Sequence, residues 1–214
     1  MIEYIIATTG YILKGCGLTL SLFAVTALGS VPLAILFALG RVSGPKYLDR
    51  TLGVYAWVFR GTPLLLQLFF IYYGLSIFGI SLKPFTAASL TFIINYAAYL
   101  MEIFRSGIQS IDRGQYEAAK ALNMTYTQTM RRIILPQALK RTIPPCCNES
   151  ITLVKDTALV IVIGMGDLLR SAKEVFTRDF RITPFVIAAI IYLIMTSGVI
   201  AVFRKIEDRL GVYE

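Results

Sequence analysis

Two sets of polar residues could together form a binding site, because each set falls on one face of a predicted helix. The first set, spaced i, i+4 and i+7, comprises Asn95, Tyr99 and Glu102. The second set, spaced i, i+3 and i+7, comprises Glu149, Thr152 and Asp156. Carboxylates pair with ammonium or guanidinium groups, amides and hydroxyls add hydrogen bonds, and a tyrosine ring can cover an aliphatic chain. These residue types predict binding of a polar molecule that carries positive charge.

Catalytic chemistry is not indicated by the sequence. The chain has no histidine, and its three cysteines, which form no CxxC pair, fit small apolar residues of helix packing. The sequence also lacks a Ser or Cys nucleophile motif, clustered metal ligands and the GxxxxGK[ST] phosphate loop. We therefore expect no catalytic residue, no metal site and no cofactor held by this chain.

The elements that must position the polar residues are predicted to be membrane-spanning helices. Of the 214 residues, 56% are hydrophobic and only 16% are charged, with a mean hydropathy of +0.67; this composition is too apolar for an ordinary soluble domain. A span needs about 20 mostly apolar residues. Windows of this kind lie at 11–39, 63–80, 85–104, 151–169 and 184–203. We predict an all-α bundle of about five spans, forming one domain over 1–214.

Basic residues near the ends of the spans predict the orientation, since they are retained on the cytoplasmic side. One side carries Arg41, Lys46 and Arg50, the basic residues of segment 105–142, and Arg204, Lys205 and Arg209. This side is predicted to be cytoplasmic, with the N-terminus outside and the C-terminus inside. The net charge of +8 is spread over these edges, a distribution that favours anionic lipid over nucleic acid as the partner.

The two polar sets are predicted to face one cavity within the membrane. The third span runs inward and the fourth outward, so at about 1.5 Å per residue both Asn95 and Asp156 come near the middle of the membrane. Buried ionisable groups in a membrane normally face a cavity or a partner. The interpretation left open is that Asp156 is neutralised by Lys155 or by a helix N-terminus.

Four further polar residues have structural interpretations beside functional ones. Glu102 is expected near the cytoplasmic end, exposed or paired with Arg105. Lys155 points away from Asp156 and is expected to contact a neighbouring helix. Arg60 precedes Gly61 and Pro63, which suits a broken helix and a structural or gating role. Gln67 lies at i+7 from Arg60 and is a further cavity candidate.

The polar segment 105–142, between the third and fourth spans, is predicted to form two short helices joined by a tight turn. Asp112 and Gln115 fit a capping box that opens a helix over 113–122, with Tyr116, Ala119 and Leu122 on one side. Asn123 suits the left-handed end of that helix. Thr125 and Gln128 fit a second capping box, and Pro136 is expected to end the second helix.

The amino-acid sequence of this segment resembles a family motif. The matching residues are Glu117, Ala118, Ala119, Asn123, Ile133, Leu135 and Pro136. They are similar to the EAA motif, EAA-x3-G-x9-I-x-L-P, of the membrane subunits of bacterial ATP-binding-cassette (ABC) importers. The departure is Asn123, where the family usually has glycine; both residues accept a positive φ. Segments 60–65 and 155–159 resemble the branch of this family that takes up polar amino acids.

The resemblance implies a type I ABC importer permease in a bacterial inner membrane. The motif would dock on a separate ATPase subunit that binds ATP and Mg²⁺. A second permease, either another copy or a sister chain, would complete the path, and an external solute-binding protein would dock on the mixed-charge connection 167–181. The substrate would be a polar amino acid bound by Asn95, Tyr99, Glu149, Thr152 and Asp156, whose carboxylates favour arginine, lysine or histidine.

Two other functions remain as alternatives. A secondary carrier or channel would not depend on ATP; carriers are often built from inverted repeats, and the halves of this chain show no convincing repeat. A membrane enzyme would need catalytic residues, which the sequence does not indicate.

Overall fold

The computed structural model describes residues 1–211, and within this range the chain forms helices and no strand. Residues 212–214, which the predicted domain 1–214 includes, lie outside the described residues. The helices are α1 (Ile2–Ser43), α2 (Lys46–Gly61), α3 (Leu64–Phe69), α4 (Leu75–Ile77), α5 (Pro84–Gln109), α6 (Arg113–Ala121), α7 (Tyr126–Thr129), α8 (Leu135–Asp156), α9 (Leu168–Asp179) and α10 (Thr183–Leu210).

Three helices are long and apolar enough to cross a membrane on their own. They are α1, α5 and α10, whose most apolar windows have mean hydropathies of 2.3, 1.4 and 2.5. The predicted windows 11–39, 85–104 and 184–203 lie inside these helices. A fourth candidate is a bent pair, formed by α2 and by the run Leu64–Ile77.

The second predicted window, 63–80, covers only the later half of this bent element. The helix axes on the two sides of the break differ in direction by 101°. Pro63 disfavours the helical conformation at Thr62, which is extended with ψ of 146°. The π-helical turn Phe70–Gly74 links α3 to α4. The break exposes backbone carbonyls at the end of α2, and these need partners inside the bundle.

The fourth predicted window, 151–169, was wrong at both ends. The helix α8 already begins at Leu135 and continues as the 3-10 segment Thr157–Ile163. Gly164 ends it with φ of 80°. The polar residues along the first half of α8 lower its hydropathy, so a window based on apolarity begins too late.

Pro136 does not end the second helix of the polar segment, contrary to the prediction. The π-helical turn Met130–Ile134 joins α7 directly to α8, and the Leu135 N–H donates to the Met130 carbonyl. This wider turn contains one extra residue. Pro136 therefore occupies the first turn of α8, where a missing N–H and the proline ring are tolerated.

Close helix contacts hold the elements that carry the polar residues. A Cβ atom at Gly29 of α1 would lie 2.6 Å from the Ile93 side chain of α5. A Cβ atom at Gly107 of α5 would lie 2.3 Å from the Thr142 side chain of α8. Small residues at these crossings let helix backbones approach closely, as is usual in membrane bundles. The helix α5 is thus fixed between α1 and α8.

Candidate functional site

The two polar sets, apart from Glu102, meet at a cavity of about 590 Å³ between α5, α8 and the break that follows α2. The residues lining it are Arg60, Gly61, Thr62, Pro63, Leu64, Leu65, Asn95, Tyr96, Tyr99, Glu149, Thr152, Asp156 and Leu159. All five predicted substrate-binding residues are among them. The expected juxtaposition is therefore present, whereas the binding role of each residue stays a prediction.

The two carboxylates of the cavity differ in their partners. Asp156 accepts a hydrogen bond of 2.7 Å from the Tyr96 hydroxyl, a contact that the sequence pattern did not indicate. Lys155 is exposed and does not line the cavity. Glu149 is half-buried and accepts no hydrogen bond within residues 1–211. Glu149 and one oxygen of Asp156 are thus left to face a ligand.

The side-chain amide group of Asn95 donates its hydrogen bonds to groups at the helix break rather than into the open cavity. Its Nδ2 donates to the Phe59 carbonyl and to Gln67 Oε1, each at 2.9 Å. Gln67 in turn donates to the Phe59 and Thr62 carbonyls at 3.0 and 3.1 Å. Both amide donors of Asn95 are used, so only its carbonyl oxygen can still bind a ligand. Gln67, a cavity candidate by spacing, instead satisfies the broken helix.

The hydroxyls of the cavity also have partners in the protein. Thr152 donates to the Asn148 carbonyl at 3.0 Å, and Tyr99 donates to the Arg60 carbonyl at 3.3 Å. A hydroxyl oxygen keeps its acceptor capacity when it donates. These two side chains therefore still offer lone pairs to an ammonium or guanidinium group.

Glu102 lies at the centre of a cluster of arginines. Its carboxylate accepts from Arg105 Nη2 at 2.6 Å, as predicted, and also contacts Arg41. Arg60 Nη1 is 3.9 Å from Glu102 Oε2, and Arg41 also pairs with Asp49 at 2.8 Å. The sequence pattern could not indicate the Arg41 contact, because 61 residues separate the two.

The polar segment 105–142 folds as the predicted helical hairpin, with a short first helix, α6, and a second arm that continues from α7 into α8. Asp112 caps α6 by accepting from the Gly114 N–H at 2.6 Å, although Gln115 does not complete the expected box. The second box is complete, since Gln128 and Thr125 each bond the other's backbone N–H, at 2.9 and 3.3 Å. Asn123 has φ of 55°, the left-handed conformation that was predicted.

The motif residues of the hairpin divide between a buried and an exposed group. Ala119 is fully buried, and Ile133 and Leu135 pack on a hydrophobic cluster with Ile108 and Ile134. The exposed motif residues are Glu117, Ala118, Asn123 and Pro136. The buried group holds the hairpin on the bundle and leaves the exposed group accessible to a partner.

Two apolar side chains at the hairpin turn are also exposed. Leu122, predicted on the same side as Ala119, is 74% exposed because α6 ends at Ala121 and the helical spacing stops there. Tyr126 is 55% exposed, and its hydroxyl lies 2.6 Å from the Ser43 hydroxyl at the end of α1. Exposed apolar residues beside a motif are typical of a protein contact surface.

The connection 167–181 contains the amphipathic helix α9. Asp167 caps it by accepting from the Leu169 and Arg170 N–H groups at 3.0 and 3.2 Å. Burial raises the pKa of the Asp167 carboxyl, and these two bonds oppose the rise. On the exposed side, the hydrogen bond from Arg178 lowers the pKa of Asp179 to about 2. The outer side of α9 therefore presents fixed charges of both signs.

Comparisons with known proteins agree with this architecture. Residues 30–212 match the family described as binding-protein-dependent transport system inner membrane component. The arginine transport system permease protein ArtQ of Bacillus subtilis (strain 168) is 38% identical over 202 residues, which cover 94% of this chain and 92% of ArtQ. The glutamine transport system permease protein GlnP of Escherichia coli (strain K12) is 35% identical over 204 residues, covering 94% and 93%.

A solved structure shares the whole fold. A chain in the crystal structure of an amino acid ABC transporter with histidines superposes with a TM-score of 0.90 at 38% identity, covering 98% of both chains. This likeness confirms the predicted all-α permease fold. Together with the matched relatives, it shows a multi-pass membrane subunit that has no ATPase activity of its own. The chain belongs to the family of inner membrane components of binding-protein-dependent transport systems.

Proposed function

We propose that this chain is the permease subunit of an ATP-driven importer of polar amino acids, with a preference for basic ones. The observation that carries the proposal is the cavity in which Glu149 and Asp156 stand beside hydroxyl acceptors and a broken helix. Intramembrane carboxylates in a cavity are costly unless a ligand uses them. Relatives named for arginine and glutamine, and a related structure with histidines, support the amino-acid class.

The preference for arginine, lysine or histidine follows from the charge of the cavity. Glu149 has no partner within residues 1–211, and Asp156 has a single neutral donor, Tyr96. An ammonium or guanidinium group would neutralise both carboxylates at close range, where the low dielectric strengthens the attraction. The matched relatives are named for arginine, which is cationic, and for glutamine, which is neutral. The proposed preference for basic amino acids therefore depends on Glu149 and Asp156.

The exposed part of the hairpin is proposed to dock on the ATPase subunit, which would bind ATP and Mg²⁺. Glu117, Ala118 and the apolar Leu122 form an accessible surface for this contact. The opposite end, at α9, would receive the solute-binding protein. Two permeases, identical or sister chains, would enclose the path, with the N-terminus outside. ATP binding and hydrolysis would then bias two states of the bundle.

Uptake in proteoliposomes tests the substrate site. The permease, its ATPase and its binding protein are reconstituted, and ATP-dependent uptake of arginine, lysine, histidine and glutamine is compared. Glu149→Gln and Asp156→Asn should each lower uptake of the cationic amino acids at least about tenfold, since each removes a charged partner. Asp208→Asn, an exposed carboxylate on α10, is the matched control. Normal uptake by both cavity variants would contradict the proposed site.

Charge reversal on the hairpin tests the coupling. In Glu117→Lys the ATPase should remain bound to the permease or continue to hydrolyse ATP, while the amount of amino acid taken up per ATP falls. This is expected because Glu117 is exposed on the docking surface. Asp208→Lys makes the same reversal outside the hairpin and should leave uptake per ATP unchanged. Unaltered coupling in Glu117→Lys would remove the hairpin from this role. Uptake that follows an ion gradient without ATP would instead support a secondary carrier.

A further inference from the structure

Arg60 stands between two cavities rather than in one. It lines the cavity of about 590 Å³ that holds Glu149 and Asp156. Together with Gly61 it also lines a second cavity of about 420 Å³, whose other residues are Arg41, Gly53, Ala56, Trp57 and Glu102. The second cavity lies toward the end of the bundle that carries the hairpin, since Arg41 and Glu102 are near the ends of α1 and α5.

Arg60 is the one cationic side chain that lines the first cavity within residues 1–211. The same cavity is lined by two carboxylates, Glu149 and Asp156, so its wall carries both signs of charge. An amino acid likewise carries a carboxylate and an ammonium group a short distance apart. The charges of the wall therefore complement a zwitterion with its carboxylate at Arg60.

Arg60 is only loosely held by its protein partners. Its distance of 3.9 Å to Glu102 exceeds the hydrogen-bond range, and 43% of its side chain is exposed. Glu102 is already bonded by Arg105 at 2.6 Å and contacted by Arg41. Three guanidinium groups face two carboxylates in this cluster, Glu102 and Asp49, so one positive charge is left over.

The Tyr99 side chain keeps Arg60 directed along the cavity wall. Its ring centroid lies 5.4 Å from the Arg60 guanidinium carbon, a cation–π distance. The Tyr99 hydroxyl donates to the Arg60 backbone carbonyl at 3.3 Å. The guanidinium is thus positioned by a ring, while its N–H donors are not fully used.

We propose that Arg60 receives the α-carboxylate of the transported amino acid, in place of its long contact of 3.9 Å with Glu102. This inference rests on the proposed function. A bidentate guanidinium–carboxylate contact suits Arg60, because the planar fork matches a carboxylate. Because Arg60 borders both cavities, the carboxylate can remain paired as the substrate leaves the first cavity for the second.

Direct binding to the permease–ATPase complex in lipid nanodiscs, without the binding protein, tests this assignment. The ligands are L-arginine and L-histidine, each compared with its amide, L-argininamide and L-histidinamide, which lack the carboxylate. The native complex should bind each acid about tenfold or more tightly than its amide, as expected for one charged hydrogen-bonded contact. Arg60→Gln should reduce acid binding about tenfold and bring the acid-to-amide ratio to within about threefold.

Two further variants separate a contact from a structural role. Arg60→Lys keeps the charge without the fork and should recover part of the acid preference; it also serves if Arg60→Gln does not assemble. Arg50→Gln neutralises an exposed arginine on the same helix and should leave both affinities within about twofold of native.

Each outcome discriminates between the inference and the proposed function. Equal binding of acid and amide by the native complex would overturn the Arg60 assignment alone. Equal weakening of acid and amide binding by Arg60→Gln would also overturn that assignment, because a purely structural defect has that signature. If the native complex bound neither acid, the proposed cavity function would fail, and the Arg60 assignment would fail with it.

Discussion

The substitutions Gly15→Ala and Gly17→Ala make the same change two residues apart on α1, and the structure predicts opposite effects. A Cβ atom at Gly15 would lie 2.6 Å from the Asp167 carbonyl oxygen and 2.8 Å from the Leu168 Cα atom. A Cβ atom at Gly17 would meet no atom of residues 1–211 within 4 Å. The pair therefore isolates the contact between α1 and the start of α9 from the general effect of replacing glycine.

The expected magnitudes follow from these distances. Alanine is favoured over glycine inside a helix by roughly 0.5–1 kcal/mol, so Gly17→Ala should stabilise the chain by up to that amount. At Gly15 the contacting atoms are backbone, which no rotamer change can move away, so the start of α9 must shift by several tenths of an ångström. Such overpacking costs about 1–3 kcal/mol. The alanine preference applies to both variants and cancels, so they should differ by the overpacking cost, about 1–3 kcal/mol in the free energy of unfolding.

Thermal denaturation of the purified chain in detergent measures this difference. For a chain of this length, the expected gap in apparent melting temperature is about 2–12 °C, with Gly15→Ala the lower. Uptake by the two variants should be compared as well, since the solute-binding protein is proposed to dock at α9. Equal melting temperatures would refute the reasoning, because they would mean that α9 does not pack on Gly15.

Three other predictions concern the arginine cluster and the hairpin, each measured by thermal denaturation of the permease–ATPase complex. Glu102→Gln should lower the free energy of unfolding by about 2–4 kcal/mol, because half-buried guanidinium groups lose their carboxylate; Asp49→Asn, at a more exposed pair, should cost less than about 1 kcal/mol, and equal costs would contradict the cluster. Asn123→Gly should be neutral or stabilising and Asn123→Val destabilising by about 1–2 kcal/mol, since φ is positive; tolerance of valine would contradict that turn. Thr125→Ala should cost about 1 kcal/mol through loss of the capping box, and no change would mean that the box contributes nothing.

The cavity was predictable to the extent that helical periodicity defines it. Residues at i, i+3, i+4 and i+7 share a face whatever the tertiary structure, so Tyr99 on α5 and Glu149 with Asp156 on α8 could be assigned to polar faces. That the two faces meet followed from opposite chain directions. The Tyr96 contact was not predicted: Tyr96 lies three residues before Tyr99 and so on the same face, but the spacing does not indicate which side chain of α8 it meets.

Contacts between segments that are distant in the chain could not be predicted from the sequence. The cluster around Glu102 joins α1, α2 and α5, and no local pattern relates residues so far apart. The partners of Asn95 were not predicted for a similar reason: its amide donates to the Phe59 carbonyl beside the break, and although Gly61 and Pro63 suited a broken helix, no local spacing relates Asn95 to it. Capping signals, in contrast, act within four residues, so the hairpin turn and Asn123 were predicted well, whereas the end of the second helix was not.

The absence of a loop between the hairpin and the fourth span has a mechanical consequence. From Tyr126 to Asp156 the backbone is continuously helical through the turn Met130–Ile134, a helical path of about 45 Å. A tilt of only about 5° about one end displaces the other end by about 4 Å over that length. A small tilt at the hairpin end is thus carried along one helix to the cavity carboxylates, and Pro144 and Pro145 are the positions at which this helix can bend.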